Sequence, residues 1–164
     1  MPSKPQIELL HFPEPATDTS LDQSKLLGLV GYNLRRAYVL NVTPNFSKRM
    51  AKCRLTPVEY TILVLLKENP NINQKRLAKA INVSPPNMAT LLDRLETRDL
   101  LSRQRNPLDK RSQTLVLTTE GLRICAKAEK AIEELEADVT AALTEAERVE
   151  LLRLLQKMSA SREQ

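Results

Sequence analysis

Along most of this chain, apolar residues recur at spacings of three and four, the period of an α-helix with one buried face. Ser20-Leu21-Asp22-Gln23 reads as a capping box, the Ser oxygen and Gln amide satisfying free backbone N–H groups at a helix start. Leu27, Val30, Leu34, Ala37 and Leu40 then keep the helical period, whereas Leu26, Leu29 and Val39 fall off that stripe. A helix apolar on more than one side is one that a partner buries. Pro44 is expected to end or kink it. Thr56-Pro57-Val58-Glu59 is a second capping box with Pro at the first helical position, and Asn69-Pro70 stops the helix it opens. Asn73 caps a short helix through Ile81, and Ser84-Pro85 opens another that runs to about Arg98.

The period then changes. Leu101–Arg105 and Ser112–Leu117 read as two strands, the second alternating as a half-buried strand does. The loop Asn106-Pro107-Leu108-Asp109-Lys110-Arg111 between them has Asn-Pro and Asp turn chemistry. From Thr118 onward the chain is helical. Leu122, Cys125, Ala128, Ile132, Leu135, Val139 and Leu143 form a seam of the kind that packs on a partner helix. Thr144-x-x-Glu147 caps a last helix with Leu151, Leu152, Leu155 and Met158 as its apolar face. The fold class that follows is mainly α with a small β-hairpin wing, a winged helix-turn-helix with flanking helices. Residues 1–19, with four prolines, form an extended arm. Residues 55–117 are the winged unit, and 20–54 with 118–160 the helical region around it.

Composition changes this picture only where it is uneven. With 164 residues and 3% aromatics, the chain suits one compact, Leu- and Ala-rich helical domain. The net charge is +5, but it divides into +3 over residues 1–66, +5 over 67–117 and −3 over 118–164. A basic middle and an acidic C-terminal third fit a nucleic-acid surface confined to one region, although scatter of composition gives the same imbalance. Two Cys make no disulfide framework, no apolar run is long enough to span a membrane, and the Pro-rich start is not a signal peptide. A reducing, cytoplasmic setting is expected.

In the winged unit Leu77, Ala78, Ile81, Val83, Met88, Leu91, Leu92 and Leu95 are the expected core, with Ala78 letting two helices approach closely. The opposite face of the third helix would enter a major groove. It presents Ser84, Pro85, Asn87, Met88, Thr90 and Arg94 as DNA-contact candidates. A helix N-terminus suits a phosphate through its N–H groups. Asn pairs with adenine, and Thr touches a base edge or a thymine methyl. Ser84 is equally a plain N-cap, Pro85 and Pro86 helix starters, and Arg94 a solvated charge or a phosphate contact. In the wing, Arg105, Lys110 and Arg111 surround Asp109, and an acid two residues before Arg111 can fix that guanidinium for a narrow minor groove.

Several ordered pieces carry a resemblance: Asn73-Gln74-Lys75-Arg76-Leu77-Ala78, then Leu91-Leu92-Asp93-Arg94-Leu95-Glu96, then Asn106–Ser112, then Leu117-Thr118-Thr119-Glu120-Gly121. The stretch Asn73–Leu122 resembles the MarR family of bacterial regulators. The resemblance implies a homodimer whose long N- and C-terminal helices form the dimer body. It implies a wing in which Asp109 and Arg111 match the family's Asp-x-Arg signature. The two lobes of such a dimer are expected to read a pseudo-palindromic duplex as a transcriptional regulator, with repression expected over activation because a dimer covering a promoter needs no further contact to block polymerase. Asp99 departs from the pattern, since the family usually has Gly there. Gly takes a left-handed C-cap freely and Asp at some cost.

The resemblance further implies that a small molecule, often an aromatic or other anion, binds between the dimer body and the DNA lobes and weakens DNA binding. Tyr32, Arg35, Arg36 and Tyr38, with His11 in the arm, are the effector-site candidates: Arg can pair an anion, and Tyr can stack on a ring. Dimer packing and solvated charge explain the same residues. A carboxylated aromatic or its coenzyme A thioester is the expected effector class. Cys53, between Lys52 and Arg54, is a candidate redox thiol, and Cys125 reads as core. The sole His has no companion metal ligands, and there is no Gly-rich phosphate loop or nucleophile–base pair, so neither an enzyme nor a metal or organic cofactor is expected. A helical adaptor without DNA binding is the alternative.

Overall fold

The computed structural model describes residues 21–105 and 113–160. The N-terminal arm with His11, Ser20 of the first capping box, and the wing loop with Asp109, Lys110 and Arg111 therefore lie outside the described residues. The chain divides into two compact units, residues 1–37 and 38–164.

In the first unit a single turn, α1 (Ser24–Leu27), precedes α2 (Val30–Ala37). Capping here differs from the sequence reading. Asp22 Oδ1 accepts the Ser24 N–H at 2.9 Å, and Gln23 Oε1 accepts instead from the Tyr32 hydroxyl at 2.7 Å. Asn33 Nδ2 donates to the carbonyls of Leu27 and Leu29, covering acceptors at the break between the two helices. Leu21, Leu29 and Val30 are all more than half exposed.

The second unit starts with a π-helical turn, Tyr38–Val42, followed by α3 (Thr43–Met50). Pro44 does not end the helical path. It sits in the first turn of α3, directly after the wider π-helical turn, and the backbone ahead of it at Val42 is itself helical. The wider turn ahead leaves carbonyls that Thr43 Oγ1 and Asn45 Nδ2 satisfy, at Tyr38 and Asn41. Then come α4 (Pro57–Glu68), α5 (Gln74–Ala80), α6 (Pro85–Thr97), β1 (Leu101–Arg105), β2 (Gln113–Leu117), α7 (Thr119–Val139) and α8 (Glu145–Ala160). Both halves of the Thr56–Glu59 and Thr144–Glu147 boxes are made, and Asn73 caps α5. The strands are antiparallel, with Leu101 opposite Leu117 and Arg105 opposite Gln113. The Leu115 N–H also reaches the Ile72 carbonyl at 3.0 Å, which ties the hairpin to the segment before α5.

The core is where the helical faces meet. Ile62, Leu63, Leu77, Met88, Leu92, Leu95, Leu101, Cys125 and Ala128 are each at most 1% exposed. Each large apolar side chain so buried contributes about 1.5–3 kcal/mol. The α7 seam is mostly covered by this chain's own α3 and α4. Cys125, Ala128 and Leu135 are buried there, and only its ends, Leu122 and Leu143, are exposed. The seam thus packs on partner helices, as its period led us to expect, and those helices belong to the same chain. Lys67–Glu129 and Arg49–Glu134 pairs flank that packing at 2.7 and 2.6 Å. α8 buries none of its residues, and Val149, Leu151, Leu152, Leu154 and Met158 stand exposed on it.

Gly121 sets how α7 leaves the hairpin. A Cβ there would stand 1.8 Å from the Leu100 carbonyl oxygen, so the helix start can lie on the Leu100 backbone only without a side chain. The Thr118 N–H and hydroxyl bond the carbonyls of Leu100 and Asp99, fixing the same corner.

Candidate nucleic-acid interface

The turn between α5 and α6 is closed by backbone geometry. Asn82 takes φ 52°, the Val83 N–H reaches back to the Ala78 carbonyl, and the Asn82 N–H reaches the Lys79 carbonyl. This is a Schellman closure, and Asn tolerates its left-handed position. α6 ends the same way: Asp99 at φ 55°, with Leu100 bonded to Leu95 and Asp99 to Glu96. The turn survives the missing Gly, with Asp in the strained place.

The outer face of α6 is open. Ser84, Pro85, Pro86, Asn87, Thr90 and Arg94 are exposed, and Met88, Leu92 and Leu95 face inward. Ser84 is the N-cap residue, yet its hydroxyl makes no capping bond. Pro86 has no N–H to offer it, and the Asn87 N–H three residues on does not bond it either. The expectation of a phosphate site built from helix N–H groups is weakened by the same chemistry. Pro85 and Pro86 contribute no donor, and the Met88 N–H is bonded to the Ser84 carbonyl, which leaves Asn87 alone. Side chains must supply the rest. Lys75 and Lys79, one turn apart on α5, line an open cleft of about 860 Å³ with Gln74, Asn82, Ser84 and Pro85. Sequence reasoning passed over these two lysines, although their spacing of four was a readable signal.

α6 is held on two sides by ion pairs. Glu59, 2% exposed, accepts from Arg94 Nε and Nη2 at 3.1 and 2.7 Å, with Arg98 Nη1 at 3.8 Å. Burial is the largest single influence on its carboxyl and raises the pKa. The Thr56 backbone N–H, the Arg94 hydrogen bond, the Thr56 hydroxyl and the Arg94 charge together outweigh it and hold the group below its ordinary value. On the other side Arg103 of β1 donates to Asp93 at 2.6 Å and pairs with Glu96. The hairpin and α4 thus both grip the one helix.

The whole arrangement has counterparts among known proteins. The model of the MarR family matches residues 55–113. The putative transcriptional regulatory protein for the hcr operon of Thauera aromatica is 28% identical over 151 residues, 90% of either chain. The transcriptional repressor CouR, solved on a 23-mer DNA duplex, is 36% identical over 85% of this chain and 98% of its own, with a TM-score of 0.79. CouR solved with p-coumaroyl-CoA is 35% identical over 85% and 97%, with a TM-score of 0.76.

The chain belongs to the MarR family.

It is a MarR-family transcriptional regulator with a winged helix fold, as the sequence resemblance implied. Within that fold the candidate residues divide. Ser84, Pro85, Asn87 and Thr90 lie together on the open face of α6, and Arg105 is exposed at the end of β1. Met88 does not belong with them: it is 0% exposed and is a core residue. Arg94 is exposed over about half its side chain but is engaged by Glu59, neither a merely solvated charge nor a free one. Glu59 was legible as a cap, while its partners across the fold were not.

Three of the effector candidates lie in the first unit. Tyr32, Arg35 and Arg36 share one face of α2, and the Tyr32 hydroxyl is bonded to Gln23. Tyr38 lies in the π-helical turn, about half exposed. A different cavity, of about 570 Å³, opens among α4, α7 and α8. Tyr60, Ile132, Glu129, Glu133, Glu136 and Arg148 help to line it. Burial, and then the Glu129 charge, push the Tyr60 hydroxyl pKa up. Three carboxylates against one guanidinium make a poor anion site. Cys53 is 3% exposed, and its carbonyl accepts from Arg98 Nη2 at 3.0 Å. Burial and the nearby Glu129 push the Cys125 thiol pKa up, consistent with its reading as core.

Proposed function

We propose that this MarR-family regulator is a homodimeric repressor that leaves its operator when a small-molecule effector binds. The observation that carries this reading is the open outer face of α6, on a chain similar to CouR, which has been solved both on a DNA duplex and with p-coumaroyl-CoA. In this reading residues 55–117 are the DNA-binding unit. α6 enters the major groove with Ser84, Pro85, Asn87 and Thr90, Lys75 and Lys79 contact phosphates, and Arg105, Asp109, Lys110 and Arg111 place the wing in the minor groove. Residues 20–54 and 118–160 are the dimer body. The uncovered apolar residues of α8 and of the first unit support that assignment, since apolar area of this extent is normally covered by a partner. Two lobes read half-sites about one helical turn apart, roughly 10 bp. A dimer lying across a promoter blocks polymerase without further contacts, which favours repression over activation.

The effector in this proposal is an aromatic acid or its coenzyme A thioester, met by Arg35 and Arg36 with Tyr32, Tyr38 and His11. The acidic lining of the α4–α7–α8 cavity argues against that cavity as its seat. Selecting bound fragments from the source genome and measuring affinity across salt tests the first part. Affinity should fall steeply as salt rises, and salt-independent association or none overturns it. Titrating p-coumaric acid, p-coumaroyl-CoA and related thioesters into the complex tests the second. Release by at least one supports it, and release by none removes the effector assignment while leaving DNA binding intact.

A further inference from the structure

Resting on the DNA-binding reading above, we infer that α6 is built to specify A·T pairs, with the Pro85 and Pro86 rings meeting thymine methyls and Asn87 meeting adenine. Two exposed prolines occupy the first helical positions, where a recognition helix meets base edges. They bring apolar rings and no N–H, and their φ is already fixed, so little conformational freedom is lost on contact. Among the groups that unmodified DNA displays in the major groove, the thymine C5-methyl is the apolar one. Proline rings therefore find a favourable partner at thymine and none at guanine or cytosine.

The polar groups beside them point the same way. The Thr90 hydroxyl donates to the Pro86 carbonyl at 3.2 Å, so its proton is already used within the helix. The Asn87 side chain makes no hydrogen bond among the described residues, which leaves both halves of its amide for the N6/N7 edge of adenine. The commonest specific contact to guanine is a bidentate Arg or Lys, and residues 84–93 contain neither. Arg94, the next cation, has Nε and Nη2 on Glu59. Guanine recognition by α6 thus lacks its usual donor, while both partners of an A·T pair have a matching group.

The test uses the full-length protein. An operator is first selected from a random duplex library. Single thymines in each half-site are then replaced by deoxyuridine, which removes only the methyl, and single adenines by 7-deazaadenine, which removes only N7. Affinity is expected to fall about fourfold at a contacted thymine, the value of one buried methyl group, and roughly tenfold at the contacted adenine. The double variant Pro85→Ala/Pro86→Ala should lose the deoxyuridine effect and keep the 7-deazaadenine effect, with its melting temperature reporting that it folds. A folded double variant that keeps the full deoxyuridine effect overturns the assignment of that contact to the proline rings. A selected half-site insensitive to deoxyuridine throughout, or one dependent on guanine N7, overturns the inference while the regulator reading stands. Failure to select any sequence overturns the reading itself, and this inference with it.

Discussion

Replacing Glu59 by Gln keeps the shape of the side chain and removes the charge from the one buried carboxylate among the described residues. Glu59 Oε2 accepts from the Thr56 N–H and hydroxyl at 2.8 and 2.9 Å, and Oε1 accepts twice from Arg94. A Gln amide has one oxygen, so it can serve the cap or the arginine, and its NH2 then faces the other set of donors. A charged hydrogen bond contributes about 1.5–3 kcal/mol, reduced here to roughly 1 because the Arg94 side chain is 53% exposed. The donor-to-donor contact adds about 1 kcal/mol more. The variant should therefore be about 2 kcal/mol less stable at neutral pH, which is roughly 4–8 °C in Tm for a chain of this size. The effect must depend on pH in a set direction. The folded pKa of Glu59 lies below its ordinary value of 4.5, so the stabilisation is complete above that pH and is lost as pH falls through the folded pKa. Parent and variant should converge in acid. Urea unfolding at fixed protomer concentration, from pH 7.5 down to pH 3.5, measures this. A difference under about 0.5 kcal/mol at pH 7.5, or one that persists undiminished in acid, would refute the reasoning.

Other consequences follow from single observations. Gly121→Ala places a Cβ 1.8 Å from the Leu100 carbonyl oxygen, a backbone atom that cannot step aside, and should lower stability by about 2–4 kcal/mol in denaturant melts. Asp99→Gly relieves a left-handed residue at φ 55° and should raise the melting midpoint by the equivalent of about 0.5–1 kcal/mol; no gain would mean that Asp99 is not strained. Leu152→Asp in α8 should shift sedimentation toward the monomer and abolish tight operator binding, and an unchanged dimer would remove α8 from the dimer body. Arg111→Ala should weaken binding evenly across sequences and reduce the salt slope by about 1, whereas Asn87→Ala should reduce discrimination between operators by about 1–3 kcal/mol; equal behaviour of the two variants contradicts their separate roles.

Much of this regulator was legible in its sequence, because much of it obeys local rules. Thr56, Asn73 and Thr144 start their helices where side-chain oxygens can reach free N–H groups three residues on. The strands, the inner face of α6 and the winged helix class follow from period alone, and the family from ordered pieces at fixed spacing. The misreadings share a cause: they concern positions where two local rules compete or where the partner is far along the chain. Gln23 lies directly ahead of α1, and its side chain goes to Tyr32, nine residues on, rather than to a cap. Met88 lies beside the proposed base-reading positions, but the helical turn carries it inward to 0% exposure.

What the sequence by itself determined is which segments are helix or strand, where most of them begin, and that α6 has an apolar inner face and an outer face carrying Pro85, Asn87 and Thr90. Tertiary structure alone decided which charges are free. Arg94 and Glu59 stand 35 positions apart, and only the fold brings the start of α4 to α6 so that they pair. The period marks the α7 seam as apolar, and only the fold shows that α3 and α4 of the same chain cover its middle while Val149, Leu151, Leu152, Leu154 and Met158 of α8 stay exposed. Period reports that a face is apolar; it carries no information about which surface covers it, because burial depends on contacts between residues that the chain order keeps apart.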